Sequence, residues 1–321
     1  MKKRIFLTGG TGFAGGQFLI RCKEKYDIVA MAREEKDIAK LREKGANSVI
    51  VVDDLVNLKM EDFNNIDVVV HFAAIATTFA KKEEFYHVNV EGTKKIVDEA
   101  KKAGVSTFVQ ISTESVLFTG QELVNVTENM PYPKKHKYDY SETKAIAEKY
   151  VLDANSENFR TVALRPSMIW GPGDYKFIPS VIESVKNGKF MLIDHGLKPK
   201  STTHVNNLIF GIELAIQNGK GGNAYFINDG EKNSLKYFLE LILKEKGLEL
   251  PNKSMSSKLA LMLAFVFEGI YKITKKDTKP PITEMEVRFF MNEITLSIEK
   301  AKKELNYAPI ISVIDGVKTI K

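Results

Sequence analysis

The stretch RIFLTGGTGFAGG, residues 4–16, decides the fold of this chain. A short apolar run ends at Thr8, glycines follow at Gly9, Gly12 and Gly15, and a helix-like pattern begins directly afterwards. This order predicts a strand, a tight turn and a helix N-terminus. Gly9 permits the turn, Gly12 lets a backbone approach a pyrophosphate, and Gly15 lets the helix pack close to the strand. Because the unpaired N–H groups and the positive end of the helix dipole then face the phosphates, the stretch predicts a nucleotide site.

The composition is that of an ordinary globular protein, with 321 residues, 44% of them hydrophobic and 27% charged. The net charge of +6 is spread along the chain as interleaved lysine and glutamate, without a basic cluster that contains aromatic residues. This pattern argues against a nucleic-acid partner. The apolar run before Gly9 is too short for a secretory signal, and no run reaches the length that spans a bilayer.

The cysteine and histidine content excludes further classes of site. Cys22 is the only cysteine, so the chain forms no internal disulfide and has no thiolate metal site, which indicates a cytoplasmic location. We predict no metal, because metal-ligand spacing is absent among the five histidines: His71, His87, His136, His195 and His204.

Strands alternate with helices along the chain. After the first strand and helix, strands are predicted at residues 27–31, 48–52, 66–72, 107–112, 161–164 and about 224–227. Helices are predicted at residues 34–44, 82–103, 138–155, 234–246, 257–273 and 283–291, and residues 113–137 are predicted to be loop. This alternation predicts an α/β fold, a Rossmann-type doubly wound parallel sheet with helices on both faces and ligands at the carboxyl ends of its strands.

The chain changes character after residue 165, where glycines and prolines interrupt the pattern up to Pro179. Residues 1–165 are interpreted as a dinucleotide-binding domain. Residues 166–321 are interpreted as a smaller, mostly helical substrate-binding region, although we expect the chain to return to the first sheet around residues 201–227.

Tyr140 and Lys144 lie four residues apart in a predicted helix, which places them on the same face. The pKa of an unperturbed tyrosine phenol is about 10. A nearby ammonium stabilises the phenolate and lowers this pKa. Such a tyrosine can take a proton from an alcohol or return one to a carbonyl. The alternative is an exposed tyrosine and a surface lysine, and the nucleotide stretch favours the chemical interpretation.

Together these motifs resemble the extended short-chain dehydrogenase/reductase superfamily, of the NAD-dependent epimerase/dehydratase type. The resemblance runs nearly end to end and rests on the glycine stretch, on Tyr140-x-x-x-Lys144, and on Arg165-Pro166 through Trp170-Gly171-Pro172-Gly173-Asp174. Within the superfamily the chain looks most like the 3β-hydroxysteroid dehydrogenase/isomerase branch. That similarity is carried by the strings YSETKA (140–145), VLDAN (151–155), YFINDG (225–230) and KAKKELNY (300–307).

The resemblance implies a third catalytic hydroxyl at the end of the fifth strand, at Thr113, with Ser112 as the alternative. This hydroxyl would bind the substrate oxygen beside Tyr140, and Lys144 would also bind the nicotinamide ribose. Such a trio places a carbonyl or an alcohol against the nicotinamide for hydride transfer. A dehydratase subgroup carries two acids after the threonine, whereas Glu114 is followed here by a serine, so sugar 4,6-dehydration is not expected.

The end of the second strand bears on the choice between NAD and NADP. NAD-specific members place an acid there, whereas an arginine suits a 2′-phosphate. Ala32 stands where the acid would be, and Arg33 follows it. Because a guanidinium binds phosphate with bidentate hydrogen bonds, the cofactor is predicted to be NAD(P), with NADP favoured, although Glu34 and Glu35 weaken that preference.

Further cofactor contacts are predicted after other strands. Asp54 and Leu55 are expected to flank the adenine, Ala73 and Ala74 leave room for the dinucleotide, and His71 is interpreted as structural. The predicted cofactor-binding set is Gly9, Thr11, Gly12, Phe13, Gly15, Arg33, Asp54, Leu55, Phe72, Ala73, Ala74, Lys144 and Pro166.

Two later stretches carry separate predictions. Residues 203–207 look like a family segment that opens a helix, and Asn206, in place of the usual aspartate, is expected to cap it. Residues 259–267 are hydrophobic nearly all round, which predicts a buried helix of the smaller region. A substrate wall or lid is the next interpretation, and the lysine flanks (Lys253, Lys258, Lys272, Lys275 and Lys276) leave peripheral membrane contact open.

The leading hypothesis is an NAD(P)-dependent oxidoreductase that interconverts a secondary alcohol and a ketone, with a steroid-like or other apolar molecule as its small-molecule substrate. The alternative within enzymes is a nucleotide-sugar epimerase with tightly bound NAD. An alternative of another class is a regulator that binds the dinucleotide without chemistry. The resemblance also implies a homodimer.

Overall fold

The computed structural model describes residues 2–274 and 278–320, so Lys275 and Lys276 of the lysine flank lie outside the described residues. The strands in chain order are β1 (Arg4–Thr8), β2 (Asp27–Ala32), β3 (Ser48–Val51), β4 (Val68–His71), β5 (Thr107–Ile111), β6 (Leu123–Val126), β7 (Arg160–Pro166), β8 (Ile169–Trp170), β9 (Leu192–Ile193), β10 (Pro199–Lys200), β11 (Thr203–His204), β12 (Asn223–Ile227), β13 (Asn233–Ser234), β14 (Ser254–Met255) and β15 (Ile294–Leu296).

The α-helices account for most of the remaining regular structure. They are α1 (Phe13–Cys22), α2 (Ile38–Lys44), α3 (Lys82–Phe85), α4 (Thr93–Lys102), α5 (Asp139–Asp153), α6 (Phe177–Lys186), α7 (Val205–Asn218), α8 (Leu235–Glu245), α9 (Ser257–Ile273), α10 (Glu284–Met291), α11 (Glu299–Leu305) and α12 (Val313–Val317). A π-helical segment, Tyr86–Gly92, joins α3 to α4, and short 3₁₀ turns include Leu55–Asn57 and Glu114–Leu117.

Seven strands form one parallel sheet in the order β12-β7-β5-β4-β1-β2-β3. The strand order reverses beside β1, which has β2 on one side and β4 on the other. Ligands of such sheets bind at this switch point, outside the carboxyl ends of the strands. The predicted doubly wound α/β fold is therefore confirmed, and the glycine turn after β1 lies at its switch point.

Helices cover both faces of the sheet, each over an apolar cluster. One cluster contains Phe18 of α1, Leu41 of α2 and Leu208 of α7. The other contains Ile96 of α4 and Val151 of α5. Burial on both faces explains why the central strands read as continuous apolar runs rather than as alternating patterns.

The smaller part of the molecule, outside the seven-stranded sheet and the helices that cover it, contains more β-strand than we expected. β6, within the stretch predicted to be loop, joins a second sheet of order β13-β10-β15-β6, and two further pairs are β8 with β11 and β9 with β14. Most of these strands are two residues long, too short to give a periodic signal. The sequence indicated that Pro179 interrupts regular structure, but Pro179 lies in the first turn of α6. A backbone N–H at this position has no partner within the helix, so proline is tolerated there.

Candidate active site

The glycine turn packs too tightly against α1 to admit side chains, which leaves a backbone cradle. Gly9 has φ of +73°, and a Cβ at Gly15 would clash with the carbonyl oxygen of Gly9. α1 begins after Gly12, and no side chain caps it. Its first N–H groups therefore remain for an anionic ligand, and the cradle fits the pyrophosphate of a dinucleotide.

Thr8 fixes the turn against the next strand. Its Oγ1 accepts a hydrogen bond of 3.1 Å from the backbone N–H of Ala73 and lies 2.8 Å from His71 Nδ1. The other ring nitrogen of His71 lies 3.0 Å from Thr93 Oγ1. Burial lowers the pKa of His71 to about 3, so its ring is neutral. Because both nitrogens have threonine partners, the contacts agree with the structural role predicted for His71.

Helix α5 carries Tyr140 and Lys144 one turn apart, with Lys144 pressed against the sheet. Lys144 Nζ donates a 2.9 Å hydrogen bond to the carbonyl oxygen of Ile111 at the end of β5. Burial lowers the pKa of Lys144 to about 8, and the carboxylate of Glu148, one turn further along the helix, opposes that shift. An ammonium has three donors, so this contact leaves two for a ribose or for Tyr140.

Tyr140, Thr113 and Glu114 lie together at the end of β5. The side chain of Thr113 interacts with the Tyr140 hydroxyl, and its Oγ1 donates a 2.8 Å hydrogen bond to Glu114 Oε2. Thr113 also caps the 3₁₀ turn after β5 by accepting from Ser115 N–H. Glu114 is 5% exposed, and burial raises its pKa to about 6. The predicted catalytic hydroxyl thus stands between the tyrosine and a buried carboxyl.

The pKa of Tyr140 differs from our expectation in direction. Burial raises it above the ordinary value for tyrosine, the charge of Glu114 adds to the rise, and the hydrogen bond from Thr113 opposes it. We expected a neighbouring ammonium to lower this pKa, but Lys144 directs Nζ to the Ile111 carbonyl. Tyr140 is therefore a neutral phenol at neutral pH and is ready to donate a proton.

Ser112, the alternative to Thr113, occupies a different environment. Its Oγ is buried and makes no hydrogen bond within the described residues. Thr113 rather than Ser112 contacts Tyr140.

Asn89 is a positioning residue that the sequence did not reveal. It lies in the π-helical segment and is 2% exposed. Its Oδ1 accepts from Ile75 N–H at 2.8 Å, and its Nδ2 donates to Thr143 Oγ1 at 3.2 Å. Asn89 therefore ties the loop after β4 to the first turns of α5. The sequence predicts one regular helix over residues 82–103, and π segments, which are frequent at functional sites, have no simple periodic signature.

The other predicted cofactor residues lie along the same sheet edge. Arg33 is exposed directly after β2, and Pro166 is the buried last residue of β7. Asp54 and Leu55 follow β3, but their side chains already have protein partners: Asp54 Oδ2 lies 2.8 Å from His87 Nε2, and Leu55 is 6% exposed. The half-buried members of this set are Thr11, Phe13, Phe72, Ala73 and Ala74. Their contacts with a dinucleotide remain predictions.

The cap of α7 is His204, and the prediction of Asn206 was wrong. His204 Nδ1 accepts a 3.1 Å hydrogen bond from the N–H of Asn206, which lies in the first turn. The backbone N–H of His204 donates to Asp229, a buried carboxylate that also accepts from Trp170 Nε1 at 2.9 Å. The aspartate that orders this segment thus comes from the loop after β12.

A cavity of about 680 Å³ lies in the smaller part, between α6, α8, α9 and α10. This volume is within the range of about 300–1,000 Å³ that ligand pockets occupy. Its walls include Phe177, Leu192, Leu239, Leu263, Phe267 and Phe290. Tyr140 does not line it.

Aromatic rings connect the cavity wall to the catalytic helix. Phe290 contacts Phe289 at 5.6 Å between ring centroids, Phe289 contacts Phe118 at 6.3 Å, and Phe118 stacks on Tyr138 at 6.0 Å. Tyr140 packs on the same cluster. These ring contacts link the cavity wall to the first turn of α5.

The buried carboxyl of Glu114 leads to a pH-dependent prediction. Its pKa is raised from 4.5 to about 6, so the native state holds the proton at higher pH than the unfolded chain does. The stability that this difference gives is present below about pH 4.5 and is lost as the pH rises through about 6. The free energy of unfolding of Glu114→Gln, measured relative to that of wild type at the same pH, should therefore rise by about 2 kcal/mol as the pH increases from about 4.5 to about 6.

Urea unfolding at about pH 4 and pH 7.5 measures this difference. Glu83→Gln, which changes an exposed glutamate of α3, is the control and should show equal stability differences from wild type at both values. A difference for Glu114→Gln that does not change with pH would contradict a raised pKa.

Comparisons with known proteins give a consistent result. The chain matches the model of the 3-beta hydroxysteroid dehydrogenase/isomerase family over residues 6–259. A 4-hydroxy-2-methyl-3-oxo-4-farnesyl-3,4-dihydroquinoline-1-oxide ketoreductase from Stigmatella aurantiaca is 32% identical over 319 residues, 99% of this chain and 96% of the relative. A 3-beta-hydroxysteroid dehydrogenase from Mycolicibacterium neoaurum is 32% identical over 331 residues, 96% of this chain and 88% of the relative.

A solved structure adds support for the fold. UDP-glucuronic acid 4-epimerase from Bacillus cereus, in complex with NAD, superposes with a TM-score of 0.76 at 19% identity and covers 99% of this chain and 97% of its own. At this identity the likeness concerns the fold alone.

The fold and the site define an extended short-chain dehydrogenase/reductase. The chain belongs to the 3-beta hydroxysteroid dehydrogenase/isomerase family, and the resemblance inferred from its motifs is confirmed. It is an NAD(P)-dependent oxidoreductase, so the alternative of a regulator that binds the dinucleotide without catalysing a reaction is set aside.

Proposed function

We propose that this enzyme reduces a ketone on an apolar molecule to a secondary alcohol. Tyr140 is the proton donor, Thr113 is the hydroxyl that positions the substrate oxygen, and Lys144 lies one helical turn after Tyr140 in α5. The observation that carries the proposal is the grouping of Tyr140, Thr113 and Glu114 at the carboxyl end of β5, in which Thr113 donates to Glu114. The relatives named for a farnesyl-bearing 3-oxo compound and for a steroid, and the apolar cavity, support the choice of substrate class.

The protein's own groups perform the proton chemistry. When bound, the dinucleotide supplies or accepts the hydride. Tyr140, a neutral phenol, donates its proton to the carbonyl oxygen as that oxygen gains charge. The Thr113 hydroxyl can accept a hydrogen bond from Tyr140 while it donates one to Glu114. When Glu114 is protonated, the direction of the hydrogen bond between Thr113 and Glu114 can reverse. The charged form of Lys144 would stabilise the phenolate that remains. In the reverse direction the same residue would accept the proton of the alcohol as a phenolate.

The test follows the nicotinamide absorbance of the purified enzyme with a panel of prenyl, alkyl and steroid ketones. Net consumption of one reduced nicotinamide for each alcohol formed supports the proposal.

The second candidate is the nucleotide-sugar epimerase. The exposed Lys176 and Lys189 at the cavity favour it, because cations bind diphosphates. Turnover of a nucleotide sugar by tightly bound NAD, without net absorbance change, would establish that candidate instead.

We also propose NADP as the preferred cofactor. Arg33 is exposed at the end of β2, and no acidic residue occupies the position of Ala32. Glu34, which weakened this preference, pairs with Lys36 at 2.5 Å, so its charge is compensated. An exposed guanidinium directly after β2 supports the proposal that this end of the strand binds a 2′-phosphate.

Arg33→Ala should raise KM for NADPH by roughly 10- to 100-fold, because hydrogen bonds to charged groups contribute about 1.5–3 kcal/mol. KM for NADH should change by less than about threefold, since that cofactor lacks the phosphate. Steady-state kinetics with both cofactors measure the change. Arg42→Ala, which removes an exposed arginine of α2, is the matched control, and an equal loss for both cofactors in Arg33→Ala would contradict the assignment.

We further propose a cytoplasmic homodimer and a division of the chain at residue 165, with a return of the chain to the first sheet around residues 201–227, as the sequence indicated. The buried Cys22 and the family resemblance support these assignments. None of the helices in the described part of the chain is long and apolar enough to cross a membrane. The prediction that residues 259–267 form a buried helix was wrong, since Ala260 and Ala264 are the buried residues of α9. Contact with a membrane surface stays a prediction.

A further inference from the structure

The Thr113 hydroxyl has a limited number of hydrogen-bonding sites, and its protein partners use them. A hydroxyl supplies one hydrogen and two acceptor lone pairs. Thr113 Oγ1 accepts a 3.2 Å hydrogen bond from the N–H of Ser115 and donates its hydrogen to Glu114 Oε2 at 2.8 Å. One lone pair is left, and the Tyr140 hydroxyl interacts with the same side chain. While Glu114 is ionised, Thr113 therefore has no hydrogen for a substrate oxygen.

A ketone oxygen needs the opposite arrangement. A carbonyl oxygen only accepts hydrogen bonds, so Thr113 and Tyr140 can hold it only through their hydrogens. An ionised carboxylate is likewise only an acceptor, and it competes with the ketone for the Thr113 hydrogen. The Tyr140 hydroxyl can then donate to the remaining lone pair of Thr113 instead of to the substrate. The ionised form of Glu114 thus turns both hydrogens away from a ketone.

Protonation of Glu114 can reverse these bonds without movement of a heavy atom. A protonated carboxyl carries one O–H, which can donate along the same 2.8 Å contact to a lone pair of Thr113. The Thr113 hydrogen is then released, and both it and the Tyr140 hydrogen can be directed at the ketone oxygen. One donor aimed at an oxygen that gains charge contributes about 10²–10³ in rate. The direction of the Thr113 hydroxyl is therefore large enough in effect to control turnover.

The surroundings of Glu114 bring its protonation close to neutral pH. Glu114 and Thr113 are 5% and 7% exposed, and burial raises the pKa of Glu114 to about 6. The side chains that oppose this rise, Thr113 first, are uncharged. Apart from Tyr140, titratable groups on the elements around this turn have other partners: Lys144 with the Ile111 carbonyl, His136 with the Val116 carbonyl, and Arg165 with Glu148.

We propose that Glu114 is a positioning residue whose proton sets the direction of the Thr113 hydroxyl, so that the protonated form holds the ketone and the ionised form holds the alcohol. Glu114 gives no proton to the substrate: the ketone receives the proton of Tyr140 and the hydride of the reduced dinucleotide. The consequence for catalysis rests on the proposed function, whereas the contact between Thr113 and Glu114 does not.

The pH dependence of kcat/KM for ketone reduction, at saturating reduced dinucleotide, tests the proposal. Wild type should lose up to about 25-fold between pH 5.5 and pH 7.5, as the protonated fraction of a group with a pKa of about 6 falls. Glu114→Gln should change by less than about threefold, because its amide can donate to Thr113 at every pH. A flat wild-type profile, or an equally steep loss in Glu114→Gln, would overturn the proposal.

Glu128→Gln is the matched control, because Glu128 is another partly buried glutamate whose pKa is raised by burial. Its Oε1 accepts a 2.7 Å hydrogen bond from the N–H of Phe226 on β12. This variant should keep the wild-type dependence on pH. If Glu128→Gln flattens the profile as Glu114→Gln does, the effect is not specific to the carboxyl beside Thr113 and the proposal fails.

Two variants of Thr113 separate the direction of the hydroxyl from other effects of the Glu114 charge. Thr113→Ser keeps a hydroxyl, so it should keep the fall in kcat/KM with pH. Thr113→Val has none, so kcat/KM should drop by about 10²–10³ and the residual activity should not depend on pH in this range. A residual activity that falls as steeply as that of wild type would show that Glu114 acts without Thr113.

Infrared difference spectra of the full chain measure the contact without turnover. Subtracting the spectrum of Glu114→Gln from that of wild type isolates the protonated-carboxyl band of Glu114, and its intensity against pH gives the pKa. Thr113→Val, with Thr113→Val/Glu114→Gln as its reference, should show a higher pKa, because the ionised form loses the hydrogen bond from Thr113. An unchanged pKa would overturn the proposal. Inactivity with every ketone would contradict the proposed function, whereas an active enzyme with a flat profile would overturn only this inference.

Discussion

Tyr140→Phe should lower kcat by roughly 10²–10⁴ and leave dinucleotide binding nearly unchanged, because positioned acid–base groups contribute about that factor. The ring is retained, so the contacts with Phe85 and with the aromatic cluster persist. What disappears is the proton donor and its interaction with Thr113. Steady-state turnover with the ketone identified from the panel, and cofactor titration by fluorescence, measure the two quantities.

Tyr138→Phe is the matched control on the same helix end. The hydroxyl of Tyr138 is buried and makes no hydrogen bond within the described residues, although its ring stacks on Phe118. Its removal should change kcat by less than about threefold, because no proton path includes it. A full rate in Tyr140→Phe, or an equal loss in both variants, would exclude Tyr140 as the proton donor.

The site residues that sequence could identify are those fixed by local geometry. The glycine turn depends on three positions in one tight turn, and Tyr140 and Lys144 depend on the helix period, so both could be predicted from spacing alone. The bounds of α5, Asp139–Asp153, lie within two residues of the prediction for the same reason. Local patterns therefore identified the two elements that carry the proposed chemistry.

Residues that act through distant contacts were missed. Asn89 reaches Thr143 across 54 positions of sequence, and His204 replaced Asn206 as the helix cap because Asp229 orders its backbone. Glu114 had one available signal, an acid three residues after the end of a buried strand, but its contact with Thr113 depends on the 3₁₀ turn. The sequence of α9 shows its apolar content, but not which of its faces another element covers.

The buried ion pair beneath the site links stability to catalysis. Arg165 of β7 and Glu148 of α5 are 3% and 0% exposed, and Arg165 Nε lies 3.1 and 3.0 Å from the two carboxylate oxygens. Tyr132 also bonds to both partners. The same carboxylate opposes the fall in the pKa of Lys144. One anion thus holds α5 to β7 and keeps Lys144 closer to its charged form.

Glu148→Gln should lower the free energy of unfolding by roughly 3–5 kcal/mol, because it leaves the Arg165 guanidinium buried without a counter-charge. The pKa of Lys144 should fall further below about 8, since the charge that opposed the effect of burial is gone. The alkaline limb of the activity profile should then move to lower pH. Urea unfolding and the pH dependence of kcat measure the two effects.

The double variant Glu148→Leu/Arg165→Met separates the two consequences. Apolar replacement of both partners of a buried pair is often close to neutral for stability, so the double variant should recover most of the free energy lost in Glu148→Gln. It should not recover the alkaline limb, because Lys144 still lacks its anion. Recovery of both properties together would show that the shifted pH profile reflects loosened packing of α5 and not the charge of Glu148.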